Sequence, residues 1–231
     1  MNPRLAVLAS GGGTNLQAII DYYAALEKPS GTIALVASNK ASAGALDRAR
    51  TAEIPAEVFD SNDDGSSLHE VLHRYKIDLV ILAGYLKQVP PSIIEDYHGR
   101  IINIHPGLLP DFGGPGMYGS RVHRAVLDAG VRVTGVTAHF VDSVYDRGRI
   151  ITQWPVPVFA SDDAGTLASR VLRVEHLVYP RVVDAVAAGR TTLENCAVTG
   201  RDTVVDTRPS FTLLPHEDSR LAENIELTLG C

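Results

Sequence analysis

The sequence predicts an α/β fold, an open, mostly parallel twisted sheet with helices on both faces. Three observations carry that prediction. Short apolar runs rich in β-branched residues recur along the first half of the chain, segments of helical period separate them, and a glycine cluster follows the first run directly. Continuous apolar strands alternating with helices belong to a parallel sheet covered on both sides, because such strands offer no polar face to water.

The elements follow in order. Leu5 to Ala9 forms a first strand, and "SGGGTN" leads from it into a helix over Asn15 to Ala25. Ile33 to Ala37 is the second strand and Ala43 to Ala52 the second helix. A short strand around Glu57 to Phe59 precedes a helix over Ser67 to Tyr75, and Leu79 to Ala83 and Ile101 to Ile104 continue the parallel set. After Pro110 the texture changes to a glycine-rich loop, "DFGGPGMYGS", then a helix from Arg121 to Ala129 and longer strands within "VTGVTAHFV" and "RIITQWPVPVF". A long helix runs from Asp163 to Ala187, and patterning is weak from Thr191 onward, with "TVVDTRPSFTLLP" expected to be partly ordered against the core. No repeat or linker interrupts the chain, so we expect one domain over residues 1–190 with an appendage over 191–231.

Composition narrows the function. The 231 residues, 45% of them hydrophobic, suffice for one well-packed core. A net charge of −6, from 27 acidic and 21 basic residues with no Lys/Arg block, argues against a nucleic-acid footprint. No apolar run approaches the ~20 residues of a membrane span, and Leu5 to Ala9 is too short for a signal h-region. The expectation is a cytoplasmic protein, monomer or homodimer, that acts on small molecules and binds neither nucleic acid nor membrane. Cys196 and Cys231 form no metal-type or redox spacing and read as incidental thiols.

The glycine cluster excludes two familiar ligands. A P-loop needs a Lys after its last glycine, and none follows Gly13. A dinucleotide fingerprint needs a third small residue where Leu16 stands and an acidic residue ending the second strand, which instead runs into "SNKASAGALDRA". Two readings remain. The turn holds a single anion with its backbone N–H groups, the Thr14 hydroxyl and the Asn15 amide, or it is a plain strand-to-helix turn with Thr14 as N-cap.

The stretch "GRIINIHPGLLPDF" carries the chemistry. Asn103 and His105 lie two residues apart on one strand, so both side chains leave on the same side at its carboxyl end, where Pro106 stops the regular structure. Downstream, "TAHFVDSVYDRGRIITQ" places His139 near a strand end and a turn with Asp142 and Asp146 after it. An amide donor, an imidazole and a carboxylate at converging strand ends suit acyl transfer: the donors hold a developing oxyanion, and the carboxylate favours a protonated His. Structural roles for each residue remain open here, as does a metal hydrolase using His105, His139 and Asp142 or Asp146 as ligands, although no H-x-x-x-H or H-x-H pattern supports it.

The segments "SGGGTNLQAII", "SNKASAGALDRA", "DLVILAGYLKQVP", "GRIINIHPGLLP", "GVTAHFVDSVYDRGRIITQ" and "VEHLVYP", in that order, resemble the phosphoribosylglycinamide formyltransferases, folate-dependent enzymes of purine synthesis. The resemblance implies a Rossmann-like formyltransferase fold and formyl transfer from 10-formyltetrahydrofolate, a co-substrate, to the amino group of 5-phosphoribosylglycinamide, with no metal. It implies Asn103, His105 and Asp146 as catalytic residues. Gly12, Gly13, Thr14 and Asn15 would hold the substrate's phosphate, and Glu175 its ribose. Leu86, Lys87, Gln88, Val89, Asn103, Val141, Asp142 and Asp146 would meet the formyl-folate. In this scheme Asn103 and protonated His105 stabilise the oxyanion, Asp146 raises the pKa of His105, and Lys87 and Arg147 reach the folate's glutamate carboxylates. The proton route, through His105 or a held water, stays open.

Departures from the family pattern accompany the match. The family's short "P-G-L-H-x-H" loop is the longer "GGPGMYGSRVH" here, with Tyr118 or Val122 where a further His can stand, and the D-G-G turn is D-R-G. A methionyl-tRNA formyltransferase would need a basic C-terminal domain, and a formyltetrahydrofolate hydrolase usually a regulatory domain before the first glycine loop. The hydrolase and a formyltransferase acting on a nucleotide sugar remain the alternatives.

Overall fold

The computed structural model describes residues 2–194. Seven strands form one sheet in the order β3-β2-β1-β4-β5-β6-β7. They are β1 (Arg4–Leu8), β2 (Thr32–Ser38), β3 (Ala56–Val58), β4 (Leu79–Leu82), β5 (Ile101–His105), β6 (Val133–Phe140) and β7 (Ile150–Pro157). The first five are parallel, while β6 runs antiparallel to both β5 and β7. The α/β sheet expected from the sequence is therefore present.

Alternate residues of β1 enter different cores, as a period of two requires. Leu5 and Val7 face α1 (Thr14–Ala25), α2 (Gly44–Thr51), α5 (Ser120–Asp128) and α6 (Ala164–Ala187), whereas Ala6 and Leu8 face α3 (Ser66–Arg74) and α4 (Pro91–Asp96). Helix α4 has no counterpart among the sequence expectations. It is only 6 residues long, too short for a helical period to register, and Pro91 at its start is its one local signal.

Chain direction across the sheet reverses between β1 and β4, since β2 and β3 lie to one side and β5 to the other. That switch point opens a crevice at the strands' carboxyl ends. Helix α6 is anchored beneath it: the buried Tyr179 hydroxyl lies 2.9 Å from the Leu82 carbonyl and 3.1 Å from that of Ile102, tying the helix to the carboxyl end of β4 and to β5 beside it. At the start of α6, Asp163 accepts from the Thr166 N–H at 2.7 Å in a capping box.

Beyond α6, the Leu193 carbonyl accepts from Arg149 at 2.9 Å. The greater part of the expected appendage, residues 195–231 with both cysteines and the segment "TVVDTRPSFTLLP", lies outside the described residues.

Candidate active site

A cavity of about 520 Å³ fills the crevice, within the range of small-molecule sites. Its wall includes Asn103 and His105 of β5, His139 of β6, Asp142 and Asp146 from the following turn, Asn15 of α1 and Glu175 of α6. Leu86, Lys87, Gln88 and Val89, which follow β4, line it together with Val141. Thus the sequence's catalytic candidates and its folate segment converge on one space.

Register explains the central contact. Asn103 and His139 sit directly opposite each other on antiparallel strands, so their side chains share a face, and Asn103 Nδ2 lies 3.1 Å from His139 Nε2. His139 Nδ1 lies 2.8 Å from the Phe140 carbonyl, which can only accept. His139 therefore carries its proton on Nδ1, accepts from Asn103 on Nε2 and stays neutral; burial also lowers its pKa. The metal hydrolase alternative would need Nε2, which is engaged by Asn103. Among the described residues no group of three or more His, Cys, Asp or Glu is placed to hold a metal ion. One Asn103 N–H remains for another acceptor.

His105 is arranged differently. Its Nε2 lies 2.9 Å from the Phe112 carbonyl, so Nε2 carries hydrogen and Nδ1 is the nitrogen that can gain or lose a proton. Nδ1 faces Asp146 Oδ2 at 3.7 Å, while Asp146 Oδ1 lies 3.7 Å from His139 Nε2. The expected upward pull of Asp146 on the His105 pKa is present, but burial outweighs it: the pKa lies below its ordinary value, with desolvation the largest cause and Asp146 and the Phe112 carbonyl opposing. The sequence shows the pair and not the depth of the ring, which is 3% exposed.

Asp146 holds its place through backbone geometry. Its φ of 54° lies in the left-handed region, where Asp is better tolerated than most residues, and its Oδ2 accepts from the Gly114 N–H at 2.8 Å. Gly148 lets the turn fold back, since a Cβ there would collide with the Phe140 carbonyl oxygen. Arg147, expected beside Lys87, is exposed and does not line the cavity.

The glycine loop differs from its expected detail at two points. The N-cap of α1 is Gly13, at φ 73°, and no side chain caps the helix, so Thr14 is not the N-cap. Asn15 is not a free amide: its Nδ2 donates to Glu175 Oε2 at 2.7 Å, across 160 residues of sequence. Burial raises the Glu175 pKa to about 7, against the opposing hydrogen bond from Asn15. Asn15 and Glu175 line the cavity, whereas Gly12, Gly13 and Thr14 do not, Gly12 and Thr14 being exposed and Gly13 buried. Carbonyls of the loop are all taken from behind: Gly11 accepts from Ala45 N at 3.1 Å, Gly12 from Arg48 Nε at 2.7 Å and Gly13 from Gln17 N at 2.9 Å. The N–H groups of Gly12, Gly13 and Thr14 donate to nothing among the described residues.

Sequence reasoning missed a histidine of the wall. Where a further His was sought at Tyr118 or Val122, the structure has His123, buried with Nδ1 unpartnered. Burial lowers its pKa, and so does the neighbouring His105. Its signal was helical phase, because Val122 and Val126 mark the buried face of α5.

The chain belongs to the formyl transferase family, whose model matches residues 3–183. Within that family it falls among the phosphoribosylglycinamide formyltransferases. It is 42% identical over 201 residues to the Escherichia coli protein of that name, a match covering 84% of this chain and 92% of that one. It is 44% identical over 194 residues to the chloroplastic phosphoribosylglycinamide formyltransferase of Arabidopsis thaliana, covering 81% of this chain and 66% of the plant protein. The chain thus spans just under two thirds of that relative's length. The crystal structure of glycinamide ribonucleotide transformylase 1 from Symbiobacterium toebii superposes with a TM-score of 0.75 at 40% identity, covering 82% of this chain and 89% of that one. Among the described residues no helix is long and apolar enough to cross a membrane.

Proposed function

We propose that the chain transfers a formyl group from 10-formyltetrahydrofolate to the amino group of 5-phosphoribosylglycinamide, in purine synthesis. The observation that carries this reading is the convergence of Asn103, His105 and Asp146 on one cavity whose other walls are the β4-following segment and the Asn15–Glu175 pair. The acceptor's amine attacks the formyl carbon and gives a tetrahedral intermediate. Collapse forms the new amide and breaks the bond to the folate nitrogen; the attacking amine loses one proton and the departing nitrogen gains one.

Residues divide the work. The free N–H of Asn103 and a proton on His105 Nδ1 meet the oxyanion, and one such donor is worth about 3 kcal/mol. Asp146, beside Nδ1, favours the charged ring as the oxyanion develops. The unengaged N–H groups of Gly12, Gly13 and Thr14 at the start of α1 receive one phosphate monoester, a polyphosphate being unsuited to a turn without a lysine. Glu175, steadied by Asn15, accepts from the ribose hydroxyls. Leu86, Lys87, Gln88, Val89, Val141 and Asp142 hold the folate, with Lys87 toward its carboxylates.

We place this formyltransferase domain at residues 1–190, with an appendage at 191–231, acting in the cytoplasm as a monomer or homodimer on small molecules, without nucleic acid, membrane or metal. The test follows folate absorbance with the ribonucleotide present and omitted. Turnover only with acceptor supports transfer, and equal turnover without it indicates hydrolysis.

A further inference from the structure

Arg48 of α2 lies behind the glycine loop, outside the cavity wall. Its Nε donates to the Gly12 carbonyl at 2.7 Å and one terminal nitrogen donates to Gln17 Oε1 at 3.1 Å. The guanidinium is thus held at two points, but no carboxylate among the described residues pairs with its charge. The planar guanidinium is the side chain best matched to a phosphate or carboxylate.

Lys87 is the one cation in the cavity wall among the described residues, and it belongs to the segment after β4. His176, one residue past Glu175 on α6, has its Nε2 buried and unpartnered; its pKa is lowered by burial and further by the charge of Arg48. Among the described residues Arg48 is the cation that hydrogen-bonds the loop itself. A phosphate monoester carries close to two negative charges at neutral pH, more than loop dipoles and one helix N-terminus balance alone.

We propose that Arg48 is a positioning residue for the phosphate of the acceptor: it fixes the Gly12 carbonyl so that the loop's N–H groups face outward, and its charge discriminates the phosphorylated acceptor from its dephosphorylated form. This rests on the reading of the glycine loop as the phosphate site. Ala45 cooperates from the same helix by holding the Gly11 carbonyl and packing against Gly13, where an added Cβ would lie 2.7 Å from Ala45 Cα.

The experiment compares kcat/KM for 5-phosphoribosylglycinamide with that for its riboside, which lacks the phosphate, in wild type, Arg48→Gln and Arg48→Lys. The expected wild-type ratio is large. Arg48→Gln is expected to shrink it about tenfold, through KM for the ribonucleotide, with the riboside and the folate KM changing far less. Arg48→Lys, which keeps the charge and loses the planar hold, is expected to fall between the two. A wild-type ratio near one overturns the phosphate reading itself. A large wild-type ratio left within twofold by Arg48→Gln overturns the role of Arg48 alone, and so does an equal loss on both acceptors, the mark of a merely structural part. Should Arg48→Gln fail to fold, Arg48→Lys decides: ribonucleotide KM raised about threefold at constant riboside kinetics supports the proposal, and an unchanged KM overturns it.

Discussion

Replacing Asp146 by Asn removes one charge and very little else. Asn adopts the left-handed region at least as readily as Asp, so the φ of 54° costs nothing new, and its side-chain oxygen still accepts from Gly114. What changes is the field at His105 Nδ1, 3.7 Å away. At an effective dielectric of about 20, a unit charge at that distance stabilises the imidazolium by roughly 4 kcal/mol. Asp146 is 12% exposed, so solvent screens little of this. If the charged ring forms only as the oxyanion forms, kcat falls by about 10³ while substrate KM values move little. The His105 pKa, already below its ordinary value through burial, drops further in the variant because its largest opposing contribution is gone. The assays are steady-state turnover and an NMR titration of the His105 ring in both proteins. A variant within tenfold of wild-type kcat, or a titration that the substitution leaves in place, refutes the pairing.

Three further outcomes follow from the same geometry. Asn103→Ala removes the oxyanion donor and lowers kcat by about 10² or more, and leaves the His105 titration nearly unmoved because Asn103 bonds to His139. Gly13→Ala forces a Cβ against Ala45 at a φ of 73°; it raises the ribonucleotide KM and lowers stability by about 1–3 kcal/mol in denaturant unfolding, while folate KM holds. Glu175 has its folded pKa raised to about 7 from an ordinary 4.5, so its contribution is fully present below pH 4.5 and is lost as pH rises through 7. The loss amounts to roughly 3 kcal/mol, and Glu175→Gln, which keeps the acceptor for Asn15, abolishes this pH dependence of unfolding. A Glu175→Gln protein whose stability tracks wild type from pH 4.5 to 8 contradicts it.

Much of this arrangement was legible because local chemistry and global fold agree. The apolar runs at Leu5, Ile33, Leu79 and Ile101 became strands near their expected bounds, since they are apolar throughout except at Asn103 and no helical period competes in them. Asn103 and His105 could be placed together because a strand's period of two is invariant. Long-range contacts were not legible. Nothing local marks Asn15 as the partner of Glu175, and its amide reads equally well as a free donor until α6 is laid against α1. Likewise the net direction of the His105 pKa depends on burial, a sum over elements far apart in sequence, whereas the opposing effect of Asp146 depends on one neighbour. The direction of the Arg147 side chain was not legible either: adjacency to Asp146 along a turn says nothing about which way the next side chain leaves, and the structure has Arg147 exposed beside a wall residue rather than in the wall.

The central claim is that the formyl group passes to the amine of a phosphorylated glycinamide ribose. It is tested most directly by supplying 10-formyltetrahydrofolate labelled with carbon-13 in the formyl group and following the label by NMR in the presence of the ribonucleotide. The account predicts that the label appears as a formamide on the acceptor, in step with loss of the folate signal and at a rate that Asn103→Ala depresses. Label accumulating as free formate, at the same rate with or without the acceptor, would contradict it.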